Sequence, residues 1–175
     1  LYPFGEKSLV WCDLEQKHLP PLLELKNIVE TDGSFLLGKG AGGMNLWGVF
    51  FFFISSPFTL LTLVVDAADM ALFTNVLTVL KLAVCAFTAS VFFRYVFGTL
   101  TPSHNIILSL MYAFSGYGMM YYQNNMWLDM MYLFPVLLLS LYRMAYTSKN
   151  DLYIIALTLS MVFNYYLSFM NVIFI

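Results

Sequence analysis

Residues 70–93 read MALFTNVLTVLKLAVCAFTASVFF, an apolar run whose single charge is Lys81. A helix that crosses a bilayer needs roughly 20 consecutive apolar residues, so this run predicts a membrane-spanning helix. Outward from it the pattern recurs over residues 105–122 and 128–146, and a further apolar run occupies about 152–175. Composition agrees: 61% of residues are hydrophobic, 18% aromatic and only 10% charged, with a mean hydropathy of +0.77. Soluble domains carry about 25% charged residues, and 175 residues could not hide so much apolar surface in one globule. The predicted class is an all-α integral membrane bundle. With no initiating Met and a last residue inside an apolar run, the chain reads as an excerpt of a longer protein.

The charges fall unevenly. Glu6, Lys7, Asp13, Glu15, Lys17, Glu24, Lys26, Glu30, Asp32 and Lys39 all precede Met44. Beyond it, Arg94 and His104 flank one connection, and Arg143 and Lys149 flank another. Spans of 70–93, 105–122 and 128–146 put those two connections on one side, which the excess of basic residues makes cytoplasmic. Gln123 to Trp127, with Asp129 at the mouth of the next span, then faces outward, as do Asp66 and Asp69. The net charge of -2 offers no basic patch, so nucleic acid is not an expected partner. Cys12 and Cys85 stand in a polar segment and an apolar span, a placement that does not suggest a disulfide.

Residues 46–65 are long enough to cross, but Ser55-Ser56-Pro57 interrupts them, and proline removes a backbone donor and disfavours helix just before it. A crossing would put residues 1–44 inside; a broken, re-entrant run keeps them outside. The re-entrant reading is favoured, because a crossing would leave only Asp66 to Asp69 as a turn between antiparallel spans. Residues 1–69 are therefore expected to form an extracytoplasmic, membrane-hugging unit. Within it, from Pro21, Leu22, Leu25 and Ile28/Val29 alternate with Glu24, Lys26/Asn27 and Glu30, an amphipathic helix of about three turns ended by Thr31-Asp32-Gly33. Gly38 to Gly43 lack the strand-to-helix setting and the Lys-Ser/Thr ending of a phosphate loop, and read as a tight backbone passage.

Three residues carry candidate chemistry. Asp13, in Leu9-Val10-Trp11-Cys12-Asp13-Leu14, has apolar neighbours that would raise its proton affinity, as a general base needs; an ordinary solvated loop acid is the plain alternative. Asp129 follows Trp127-Leu128, and acids at or within a membrane are functional candidates; the alternative is an acid stabilised at a helix amino terminus. Lys81 lies about 16 Å from Met70 along its helix, too deep to snorkel fully to water. It should meet either a carboxylate in the part of the protein that this excerpt lacks or an anionic lipid head group. Asn164-Tyr165-Tyr166 places polar groups inside a span, where packing across helices is the expected role.

Taken in order, Tyr2-Pro3-Phe4-Gly5 to Trp11-Cys12-Asp13, Gly40-Ala41-Gly42-Gly43-Met44-Asn45, Ser55-Ser56-Pro57-Phe58, Leu80-Lys81, Asn125-Met126-Trp127-Leu128-Asp129 and Asn164-Tyr165-Tyr166 resemble the YfhO family of bacterial multi-pass membrane proteins. The resemblance implies a bundle similar to GT-C glycosyltransferases, with an acidic catalytic residue in the first external loop. It further implies a sugar donor carried on a polyprenyl phosphate and an acceptor polymer of the cell envelope, such as teichoic acid. Asp13 would be the catalytic acid or base, Asp129 a second acid from the next external loop, and Lys81 a contact for the lipid phosphate. Two acids on one face could instead hold a divalent cation, magnesium or manganese. Lys17-His18 departs from the Gln-Tyr-like residues that the resemblance leads one to expect.

Two other classes compete. A transporter or lipid flippase would line a pathway with Lys81 and Asp129, and such proteins carry broken helices in matching positions; the sequence displays one broken run. A non-catalytic envelope assembly protein would tolerate loss of both acids.

Overall fold

The structure is a computed structural model that describes Leu9, residues 12–31 and residues 46–175. The glycine-dense Gly38 to Gly43 and the Tyr2-Pro3-Phe4-Gly5 stretch lie outside those residues. Among the described residues the chain is helical, with no strand. The helices are α1 (Leu19–Glu30), α2 (Leu46–Val49), α3 (Met70–Val96), α4 (Pro102–Ala113), α5 (Gly116–Tyr121), α6 (Asn125–Thr147), α7 (Asp151–Phe163) and α8 (Tyr165–Phe174).

Among the described residues, two helices are long and apolar enough to cross a membrane, Ala67–Val96 and Asn125–Thr147. They run side by side in the same direction. Asn125 Nδ2 donates to Thr78 Oγ1 at 2.8 Å near their starts, and the Tyr95 and Tyr142 rings meet at 6.0 Å near their ends. α4 returns along α3 and reaches α6 near its own end: Asn105 Nδ2 donates to Ser90 Oγ at 2.7 Å, and seven residues later Tyr112 Oη donates to the Met131 carbonyl at 2.6 Å. Cys85, Ala113, Leu128 and Leu133 fill the space between the three. The outer surface stays apolar, with Phe87 68% exposed and Val76 and Val79 57%. In water such a surface would aggregate; in lipid it is the contact surface.

The run at 46–65 breaks where the proline predicts. Trp47–Ile54 and Pro57–Val64 form a pair bent by 103°. Its first limb is α2 continued by a π-helical stretch, Phe50–Ile54, and its second is the 3-10 helix Pro57–Val64. Ser56 is extended at the corner, at φ -67° and ψ 142°.

The region predicted as a span at 105–122 is divided into α4 and α5. Ser115 turns extended at φ -60°, ψ 164°, and α5 folds so tightly onto the end of α4 that a Cβ on Gly118 would stand 2.4 Å from the Ala113 carbonyl oxygen. The run at 152–175 is divided as well. Asn164 leaves the helix at φ -162°, ψ 92°, and its side chain caps α8 by accepting from the Leu167 N–H at 3.0 Å.

The broken run visible in the sequence therefore has a partner, and the two breaks meet. Ser55 Oγ donates to the Phe163 carbonyl at 2.8 Å, and Asn164 Nδ2 donates to the Phe52 carbonyl at 3.3 Å. Irregular backbone at membrane depth must have its polar groups satisfied by neighbours; here side chains at each corner serve carbonyls at the other.

The first helix begins earlier than its periodicity from Pro21 predicts. A π-helical turn, Leu14–His18, runs directly into α1. Pro20 and Pro21 sit in the first turn of α1, where a missing N–H costs nothing. Thr31 ends the helix, its N–H and hydroxyl both donating to the Asn27 carbonyl. Leu22 and Leu25 pack with Ile54 and Met70, and the Leu9 N–H donates to Asn75 Oδ1 on α3 at 2.9 Å. The segment thus lies against the same end of α3 and α6 that carries Thr78 and Asn125.

Candidate functional site

Lys81 and Asp129 find each other. The ammonium stands 2.9 Å from both carboxylate oxygens and donates to the Asn125 carbonyl at 3.1 Å. Ser56, at the corner of the bent pair, donates its hydroxyl to Asp129 Oδ1 at 2.8 Å. Both charged side chains are only 1% exposed. Phe58 lies 5.9 Å from the Lys81 ammonium and packs edge-on against Tyr132. An isolated charge at this depth would be prohibitively costly, whereas a pair with its remaining sites hydrogen-bonded is sustainable.

The sequence places Asp129 at a span mouth. Instead α6 starts at Asn125, and Asn125 and Asp129 are both fully buried. The cause is Lys81: an acid one turn into α6 is the group that neutralises it. The carboxylate partner expected in the missing part of the protein is instead Asp129 of this chain. The alternative partner, an anionic lipid head group, would reach Lys81 only if the pair opened.

Asp13 occupies different surroundings. It stands just before the π-helical turn, a quarter exposed, and accepts from Lys17 Nζ at 2.9 Å; Lys17 is itself about half exposed. The structure thus separates the two acids by environment: Asp13 partly exposed, Asp129 enclosed.

His18 links them. It lies five residues after Asp13, about one helical turn, and is 2% exposed. Neither ring nitrogen has a hydrogen-bond partner among the described residues. Burial, and second the nearby Lys81 ammonium, push the imidazole down to about 3, so it is neutral. Asn125 Oδ1, on the residue whose carbonyl accepts from Lys81, is likewise buried without a partner among the described residues. Buried polar atoms are nearly always paired, so this concentration around one ion pair marks a place with hydrogen-bonding capacity beyond what packing uses. His18 was legible: Leu14, His18, Leu22 and Leu25 recur at helical spacing and form the buried stripe of the segment.

The divalent cation considered for Asp13 and Asp129 does not fit the residues present. Among the described residues no group of three His, Cys, Asp or Glu side chains could hold a metal ion, and both Asp129 oxygens are taken up by Lys81.

The family model described as bacterial membrane protein YfhO matches residues 1–175. No curated protein and no solved structure matches the chain.

Proposed function

The chain belongs to the YfhO family of bacterial membrane proteins, and from that premise we propose that it is part of a multi-pass membrane glycosyltransferase. It transfers a sugar from a polyprenyl-phosphate donor to a cell-envelope polymer such as teichoic acid, on the extracytoplasmic face. The observation that carries this reading is the setting of Asp13. A partly open carboxylate heads a segment whose apolar stripe is buried on the membrane helices, so it sits where a lipid-borne donor and a water-borne acceptor can meet.

The chemistry asks little more of the protein. Asp13 takes the proton from an acceptor hydroxyl as that oxygen attacks the anomeric carbon; the bond from that carbon to the phosphate oxygen breaks, and the polyprenyl phosphate leaves as a stable anion. Direct displacement inverts the anomeric centre. Lys17, at Asp13 and half exposed, is an accessible cation beside it. We assign Lys81 and Asp129 to holding α3, α6 and the bent pair in register beneath the segment, since in their closed pair neither touches a substrate.

In cells carrying the full-length protein, Asp13→Asn should abolish addition of the sugar to the envelope polymer while membrane abundance stays at the wild-type level. Wild-type sugar content with that variant would remove Asp13 from the mechanism.

A transporter or flippase reading draws on the paired helix breaks. The carbonyls freed at those breaks are occupied by Ser55 and Asn164 and are not turned to a pathway, which favours transfer over transport.

A further inference from the structure

The far end of α3 carries a separate cavity. It encloses about 440 Å³ and is lined by Ser90 and Arg94 of α3, Gly98, Pro102, Asn105 and Ile106. α3 has 27 residues, about 40 Å of helix, against a hydrocarbon thickness of about 30 Å. Its last turns therefore emerge at head-group depth. Tyr95, Tyr142 and Tyr146 cluster at that same end, Tyr95 edge-on to Tyr142 at 6.0 Å and Tyr142 tilted against Tyr146 at 4.4 Å between ring centroids, in keeping with the enrichment of tyrosine at membrane interfaces.

Three features of the cavity point to one ligand. Arg94 is exposed and makes no ion pair among the described residues, and no acid lines the cavity with it. The 12-residue α4 begins there at Pro102, adding the partial positive charge of a helix amino terminus. Asn105 is 9% exposed and donates to Ser90, but its Oδ1 is buried without a partner among the described residues. That atom can only accept, so the ligand must bring a donor as well as negative charge. An ammonium donor would find no carboxylate in the lining; a hydroxyl needs none. Ile106 forms one wall and is followed by exposed Ile107 and Leu110, an apolar track for acyl chains.

We propose that this cavity is a head-group site for an anionic glycerophospholipid bearing free hydroxyls, with its phosphodiester against Arg94 and the α4 terminus and a hydroxyl donating to Asn105. Basic clefts at membrane-helix ends recognise anionic head groups in this way, and arginine pairs with phosphate through two parallel hydrogen bonds.

The test uses the purified full-length protein in detergent, with phosphatidylglycerol, phosphatidylcholine and inorganic phosphate as probes and bound lipid read by native mass spectrometry. The wild type should retain phosphatidylglycerol and not phosphatidylcholine, and inorganic phosphate should not displace it. Arg94→Gln should weaken retention about fivefold or more. Gly98→Phe should weaken it as much without touching a charge, because a Cβ there meets nothing within 4 Å and the ring would fill the cavity. Arg143→Gln, at the same end but outside the lining, should leave it unchanged. Equal retention by Gly98→Phe and wild type, equal loss in Arg143→Gln and Arg94→Gln, or displacement by inorganic phosphate would each overturn the proposal.

Discussion

Lys81 is a fully buried cation, and Asp129 is what makes it tolerable. Removing one partner of a buried ion pair leaves an uncompensated charge, a loss of about 3–5 kcal/mol, whereas replacing both by apolar groups of similar volume is often neutral. Asp129→Leu in the full-length protein is therefore expected to lower folded yield and thermal stability sharply, and Lys81→Met with Asp129→Leu to restore much of both. If the double variant is no better than the single one, the pair is not the reason for the loss. Read from sequence, the lysine was identifiable as a buried cation, but its partner was not. One-dimensional spacing says how deep Asp129 sits on its own helix and nothing of which way that helix faces.

His18 makes a prediction of its own at this scale. With its proton affinity lowered from the ordinary 6.5 to about 3 in the fold, the imidazole takes up a proton more readily in the unfolded chain. Stability from this residue is therefore complete above pH 6.5 and is lost progressively as the pH falls toward 3. Thermal unfolding followed between pH 7.5 and 4.5 should show a downward slope in the wild type that is reduced in His18→Leu. Parallel slopes would mean that the imidazole is not held neutral.

At the level of elements, the two corners at Ser55-Ser56 and Asn164 are coupled. Asn164→Ala loses the cap on Leu167 and the bond to Phe52, together about 1–3 kcal/mol. Ser55→Ala removes the reciprocal bond to Phe163, and the two losses should combine non-additively because they share one junction; strictly additive unfolding temperatures would show that the corners act apart. The first corner was legible, because Ser-Ser-Pro breaks a helix for a local reason. The second was not. Asn164 breaks its helix only because a neighbour's carbonyl and its own cap reward it. Nor was the division of 105–122, which depends on Gly118 lying against Ala113. Local chemistry announces a proline break, while breaks sustained by tertiary contacts stay silent in a hydropathy pattern.

For the molecule as a whole, the apolar surface, the two long apolar helices and the match to the YfhO family make this a bacterial membrane protein. Its class followed from composition and run length alone. The candidate site was legible in part: Asp13, Lys81 and Asp129 stood out as charges among apolar neighbours, but the helical turn that carries His18 began before the predicted helix, and the environments that separate Asp13 from Asp129 arise only when α1, α3 and α6 pack. The proposed sidedness can be read with a residue already present, since Cys12 is exposed and Cys85 buried. An impermeant thiol reagent on intact cells should label Cys12, with the signal lost in Cys12→Ser. Labelling only after lysis would put the first segment inside.

The most direct measurement is sugar transfer by the purified full-length protein in proteoliposomes, supplied with a polyprenyl-phosphate sugar and an envelope-polymer acceptor. The wild type should transfer the sugar with inversion, and Asp13→Asn should bind the donor as well as the wild type yet transfer it at least a hundredfold more slowly, as expected for loss of a general base. Transfer at the wild-type rate by Asp13→Asn would contradict the account.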